Sequence, residues 1–229
     1  MSHADSLMSV GLYTVSMAAR LLSEDATKVR SWVEGYPSSA AAPIIRKQLP
    51  RFDGKTILGF LDLIEARFVK HFCDKGLSPQ SIRKVASKLR ERHRTDHPFA
   101  TNKRFRTDGK AVFMEVVESD SERRILNLMN DNFEMGDVIE RSLFDSILYA
   151  DDLAVRWRPH PGIELVIIDP RLAFGRPVID KFGVPTDVLH NAYMTEGGYE
   201  DAAAEFQVDV EYVRAAVDFE RALTEGTLH

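Results

Sequence analysis

The sequence predicts an α+β fold, mainly helical, and three observations predict it. Apolar residues recur at i, i+3 and i+4 through most of the chain, the spacing of helices with one buried face. Short β-branched runs flank Asp53-Gly54, Asp108-Gly109 and Pro161-Gly162, which are turn dipeptides between strands. The chain has 229 residues, 44% of them hydrophobic and 28% charged. That is enough for one large core or two small ones under a soluble surface.

The net charge of −5 hides an asymmetry. Residues 1–110 carry 20 Lys and Arg against 11 Asp and Glu, a net of +9, and residues 111–229 carry a net of −14. A basic half joined to an acidic half suggests two tasks, with a polyanion as partner of the first half only. One cysteine, Cys73, excludes an intrachain disulfide framework. No apolar run approaches the roughly 20 residues of a membrane span. The opening run "MSHADSLMSVGLYT" lacks a signal peptide's basic and apolar regions, so a cytoplasmic protein is expected.

Each element can be justified in order. Thr14 or Ser16 can cap a helix over about 16–22, with Ala18, Ala19, Leu21 and Leu22 apolar. Ser23 or Asp25 can cap the next, in which Val29, Trp32 and Val33 share a face until Gly35-Tyr36-Pro37 ends it. Residues 43–58 predict two short strands around Asp53-Gly54, carrying Arg46, Lys47, Arg51 and Lys55. A helix-turn-helix followed by a basic hairpin is a winged-helix arrangement. Helices follow over 60–76 and 77–93, the second with Ser78 as cap and Pro79 at its first position. Residues 105–116 predict a strand-turn-strand, 124–139 are either short strands or a helix, and 153–170 predict two strands about a Pro-Gly turn. The remainder predicts helices at about 186–195, 199–206 and 209–224.

The order of features in 13–92 resembles the MerR-type DNA-binding domain: a YT-S-AA-LL first helix, a V-R-W second helix, a two-strand wing, a Phe/Leu-rich helix and a Ser-Pro opening of the last. The wing departs from that pattern, since an Ala/Ser loop precedes it where typical members have an Arg-rich run. Residues 167–220 resemble the domain-of-unknown-function family numbered 433. That match rests on Asp169-Pro170, Gly175-Arg176-Pro177-Val178, Val184-Pro185 and Gly197-Gly198, with "DKFG" departing from the usual turn before Val184-Pro185. A MerR-like head joined to such a tail looks like a VapB-type antitoxin. The resemblance implies a DNA-binding autorepressor of its own promoter that also neutralises a PIN-like ribonuclease toxin.

On this reading the chain divides into a MerR-like winged helix-turn-helix at 10–95, a β-rich connecting and dimerisation region at 96–168, and a helical protein-interaction domain of helix-turn-helix shape at 169–229. Thr14, Ser16, Thr27, Lys28, Arg30 and Ser31 are the candidate contacts of the helix-turn-helix, with Lys28 or Arg30 placed to read guanine. Arg46, Lys47, Arg51 and Lys55 suit phosphate contacts, which position without specifying. Arg171 and Arg176 could meet a partner's carboxylates, although Arg176 is better read as bracing the Gly-Arg-Pro turn through local carbonyls. The net negative last helix repels phosphate and suits a protein partner. A homodimer is expected, because two-fold protein reads two-fold DNA. No enzymatic signature, cofactor or metal is expected. His93 and His97 have ligand spacing but straddle a helix end, and Cys73 is one thiol on an apolar helix. Two other classes stay open: a MerR-like regulator whose second half senses a small molecule, and an adaptor that no longer contacts DNA.

Overall fold

The structure is a computed structural model and describes residues 9–36, 41–102, 105, 112, 116 and 141–226. Strand β1 (Tyr13–Thr14) leads into α1 (Val15–Leu21), and α2 (Ala26–Glu34) follows a tight turn. Then come β2 (Ile57–Leu58), α3 (Phe60–Asp74), α4 (Pro79–His93) and a 3-10 turn at Pro98–Ala100. The second half runs α5 (Arg141–Asp145), β3 (Ile147–Ala150), β4 (Leu153–Trp157), β5 (Val166–Ile168), β6 (Pro177–Ile179), α6 (Thr186–Glu196), α7 (Tyr199–Phe206) and α8 (Val210–Glu225). The fold is α+β, with more helix than strand.

Side-chain chemistry sets the helix starts. The Thr14 hydroxyl accepts from the Met17 N–H at 3.1 Å, and Asp25 rather than Ser23 caps α2, accepting from the Thr27 and Lys28 N–H groups at 2.8 and 3.2 Å. Ser78 caps α4, with Pro79 at its first position. Val29, Trp32 and Val33 are buried together, as their spacing predicts.

The predicted hairpin at 43–58 is reduced to its turn. Phe52 and Lys55 exchange two backbone hydrogen bonds of 2.9 Å around Asp53 and Gly54, both at positive φ (48° and 70°). That is the geometry the Asp-Gly dipeptide favours. The flanks do not pair with each other. Pro43 and Pro50 lack donors on one side, and on the other Ile57 and Leu58 pair with Thr14 and Tyr13. Of the strand-turn-strand expected at 105–116, only Phe105, Val112 and Val116 are described, and all three are helical. Residues 124–139 lie outside the described residues.

The second half holds an antiparallel sheet in the order β3-β4-β5-β6. β4 and β5 are the two strands expected in 153–170, while β3 and β6 extend the sheet on either side. The β3–β4 turn uses Asp151 and Asp152 at φ 49° and 70°, so these residues form a turn as well as carrying charge. Helices α6 to α8 pack on one another, and α6 and α8 pack on β6.

The buried apolar residues form one continuous cluster from Tyr13 to Phe219. Its centre is aromatic: Phe68 lies 6.2 Å from Phe72, 5.6 Å from Phe105 and 5.3 Å from Phe144, with Phe99 5.4 Å from both Phe72 and Phe105. The tail also docks directly on the head. The Leu12 N–H donates to the Phe174 carbonyl at 2.9 Å. Gly175 sits at φ +84° with its α-carbon so near the Tyr13 hydroxyl that a Cβ there would collide with it. Gly175 of the Gly-Arg-Pro-Val run is therefore required by conformation and by close approach.

Candidate nucleic-acid interface and partner surface

Burying Val29, Trp32 and Val33 turns the opposite face of α2 outward. Thr27, Lys28 and Arg30 are exposed on it, and Ser16 is exposed on α1. Two of the expected contacts already hold hydrogen bonds within the chain. Ser31 is 6% exposed and its hydroxyl donates to the Lys28 carbonyl at 2.7 Å, so it faces the core side of α2. Thr14 is exposed, but its hydroxyl is engaged as the cap of α1.

The cations of this face are held by carboxylates at its edges. Lys28 pairs with Glu24 at 3.1 Å, which raises the lysine's pKa. Glu34 collects the Thr56 hydroxyl, Arg51 at 2.9 Å and Arg30 at 3.8 Å, and together these hold its carboxyl below the usual range. Arg46 meets Asp96 at 2.6 Å, joining the wing segment to the chain beyond α4. Surface pairs of this kind contribute little to stability and exchange readily for phosphate. Lys55 is exposed at the turn, and Lys47 is half-buried.

Sequence reading missed Phe52. It is 77% exposed at the tip of the turn, between Arg51 and the Asp53-Gly54 pair. An exposed ring beside two cations can lie against sugars or bases in a minor groove. The signal was present, because a large aromatic next to an Asp-Gly turn has no core to enter.

In the tail, both candidate arginines are engaged within the chain. Arg171 grips buried Asp169 through its ε and η nitrogens at 2.9 and 2.6 Å. Arg156 reaches Asp169 at 3.3 Å and Asp180 at 2.9 Å. Burial works to raise the pKa of Asp169, but the hydrogen bonds and charges of Arg171 and Arg156 outweigh it and hold the carboxyl low. Arg176 bonds Asp187 in the first turn of α6 and so braces its own Gly-Arg-Pro turn. The exposed carboxylates of α8 include Asp209, Glu211 and Asp218.

The remaining titratable groups have structural surroundings. α4 ends at His93, with Arg94 left-handed at φ 52°, which separates His93 from His97. His97 instead lies 3.7 Å from Asp62 and 3.6 Å from Glu65. Burial works to lower its pKa, yet the Glu65 bond and the charges of Glu65, Asp62 and Asp96 raise it. Burial pushes the Asp62 carboxyl up to about 6, against hydrogen bonds from the Gly59 and Gln48 N–H groups. Burial likewise pushes the Cys73 thiol up to about 11, which leaves it a poor nucleophile. Among the described residues no group of three His, Cys, Asp or Glu is placed to hold a metal ion, and no helix is long and apolar enough to cross a membrane.

The chain is similar to an antitoxin along nearly its whole length. That relative is the "Putative antitoxin VapB45" of Mycobacterium tuberculosis (strain ATCC 25618 / H37Rv), 27% identical over 226 residues, 91% of this chain and 93% of the relative. The crystal structure of Rv2018 from Mycobacterium tuberculosis superposes with a TM-score of 0.70 at 25% identity, covering 90% of this chain and 97% of that one. No family model matches the chain. The similarity to VapB45 spans head and tail alike.

Proposed function

We propose that the protein is the antitoxin of a type II toxin–antitoxin pair, acting as an autorepressor at its own promoter and neutralising a PIN-like ribonuclease toxin. The observation that carries this reading is the end-to-end similarity to an antitoxin, in a chain whose two halves differ so sharply in charge. The head at 10–95 is the MerR-like winged helix-turn-helix. α2 enters the major groove with Thr27, Lys28 and Arg30, and Arg46, Lys47, Arg51 and Lys55 lie along phosphates. The region at 96–168 connects the halves and dimerises. The domain at 169–229, which resembles the tail family described above, offers its acidic surface to a basic nuclease. Since Arg171 and Arg176 hold carboxylates of their own chain, the contact with toxin is carried by the exposed acids of α8. The protein acts without catalysis or cofactor.

Co-expression with the product of the neighbouring small gene tests the proposal. The two should co-purify, the neighbour alone should arrest growth, and the full chain should bind its own upstream DNA with sequence preference. A neighbour that is harmless alone and does not co-purify would overturn the antitoxin reading. Sequence-indifferent binding would overturn autorepression.

A further inference from the structure

A cleft of about 380 Å³ opens between α3, the end of α1, the α5 segment and the end of β4 with the loop that follows it. Its size suits a small molecule. From α3 it receives Arg67, Lys70, His71 and Asp74, which share one face at i, i+3, i+4 and i+7. Arg158 stands on its rim, and Leu21, Leu22, Leu143 and Trp157 supply apolar wall. Among the described residues, the fully charged side chains lining it are Arg67, Lys70 and Arg158 against the single carboxylate of Asp74, which already pairs with Lys70 at 2.6 Å.

Arg67 is the telling residue. Its guanidinium donates to the Leu143 carbonyl at 2.6 Å and the Ser146 hydroxyl at 2.9 Å, and stacks 5.5 Å from the Trp157 ring. No described carboxylate pairs with it. Burial pushes its pKa down to about 10, against the opposing influence of Tyr149. A guanidinium withdrawn from water is ordinarily matched to an anion, because the unpaired charge is costly. Two of its five N–H groups are used. A planar fork of this kind matches a carboxylate, and an apolar wall beside it suits a hydrocarbon body. The protein thus has a cation in place, a cavity beside it and, among the described residues, no acid that fills it.

We propose that this cleft binds a small organic acid, its carboxylate held by Arg67 and Arg158 and its apolar body against Leu21, Leu22 and Trp157. The side chains that would hold the ligand, Arg67 and Arg158, lie on neither α2 nor α8. The ligand nonetheless touches the two leucines that close the first helix of the helix-turn-helix.

The test is an NMR titration of the full chain with phenylacetate, isovalerate, phenylacetamide and inorganic phosphate, following the Trp157 indole N–H. The chain has two tryptophans, and Trp157→Phe identifies the signal. The expected result is a saturable shift with a carboxylate, none with the neutral amide, and phosphate binding weaker than the carboxylates. Arg67→Gln should weaken the carboxylate about tenfold or more, the loss expected for a charge-assisted hydrogen bond. Arg158→Gln lies on the exposed rim, keeps the fold intact and should weaken binding in the same direction, so the test survives a poorly folded Arg67 variant. The proposal is overturned by no saturable shift with either carboxylate, by equal binding of the amide, by tighter binding of inorganic phosphate, or by affinity indifferent to Arg158→Gln.

Discussion

Arg30→Ala separates groove reading from support of the fold. In the folded chain Arg30 contributes one ion pair, to Glu34 at 3.8 Å, with its side chain 57% exposed. Glu34 loses little when that partner goes, because Arg51 stays at 2.9 Å and the Thr56 hydroxyl remains bonded. An exposed pair of this kind is worth about 0–1 kcal/mol, so the variant's unfolding free energy should fall by no more than roughly 0.5 kcal/mol. On DNA the balance is different. A guanidinium bidentate to guanine is worth about 1–3 kcal/mol per half-site, which is roughly 5- to 150-fold in Kd. The assay is fluorescence anisotropy on the protein's own upstream DNA across a salt series, with urea melts of the same preparations. A base contact predicts a large loss of sequence-specific affinity and an unchanged salt slope, while a phosphate contact predicts a slope shallower by about one. Unchanged affinity with unchanged stability would refute the placement of Arg30 in the groove, and so would a loss of binding that tracks a loss of stability.

Three further outcomes follow from the same geometry. Gly175→Ala should destabilise the chain by at least about 1–3 kcal/mol in urea melts, since it joins a left-handed φ to a collision with Tyr13; a change near zero would contradict the head–tail docking. Asp62 should make stability fall as pH rises from roughly 4 to 6, because its folded carboxyl titrates near 6 and its unfolded one near 3.9. His97, whose folded pKa is raised, adds stability below its unfolded value that is lost as pH climbs through the folded one. Asp62→Asn keeps an acceptor and should flatten this dependence, whereas an unaltered profile would place the proton elsewhere. Phe52→Ala should leave urea melts unchanged, since the ring is exposed, and should weaken promoter binding several-fold in anisotropy; unaltered affinity would remove the ring from the interface.

Much of this architecture was legible because periodicity reports burial. Val29, Trp32 and Val33 announced the buried face of α2, and Ser78-Pro79 announced the start of α4. What the sequence hid was long-range competition. Leu58 pairs with Tyr13 rather than with a neighbour across the Asp53-Gly54 turn, a choice made by two segments about 45 residues apart. β3 was hidden because Asp151-Asp152 reads as polar loop, although aspartate tolerates the left-handed conformation that a two-residue turn needs. Ser31 was misplaced by proximity in sequence, since a residue between Arg30 and Trp32 sits at the boundary of the buried face and a hydroxyl can satisfy itself on a carbonyl one turn back. The surroundings of Arg67 gave no signal at all, for nothing in "EARFV" says that no described carboxylate will pair with it.

The docking of tail on head bears on how one chain could serve DNA and a protein partner together. α1 lies between α2 on one side and α8 on the other, and Met17, Arg20 and Leu21 share a cleft with Glu220 and Leu223. Tyr13 and Gly175 fix the same junction from below. α2 is thus linked to α8 through α1, while it also packs on α3. If the tail or the β region forms the dimer, that linkage helps fix the separation of the two α2 helices, which DNA requires to be one helical turn, about 34 Å, or a multiple of it. A partner that docks on the outward acids Asp209, Glu211 and Asp218 leaves this junction intact, and DNA binding should survive its arrival. A partner that displaces α8 from α1 must break it, and repression should end in proportion to partner bound. The two cases are separated by adding toxin to the DNA complex of wild type and of a chain cross-linked between α1 and α8: release that the cross-link prevents requires movement of α8, and release that it leaves untouched arises elsewhere.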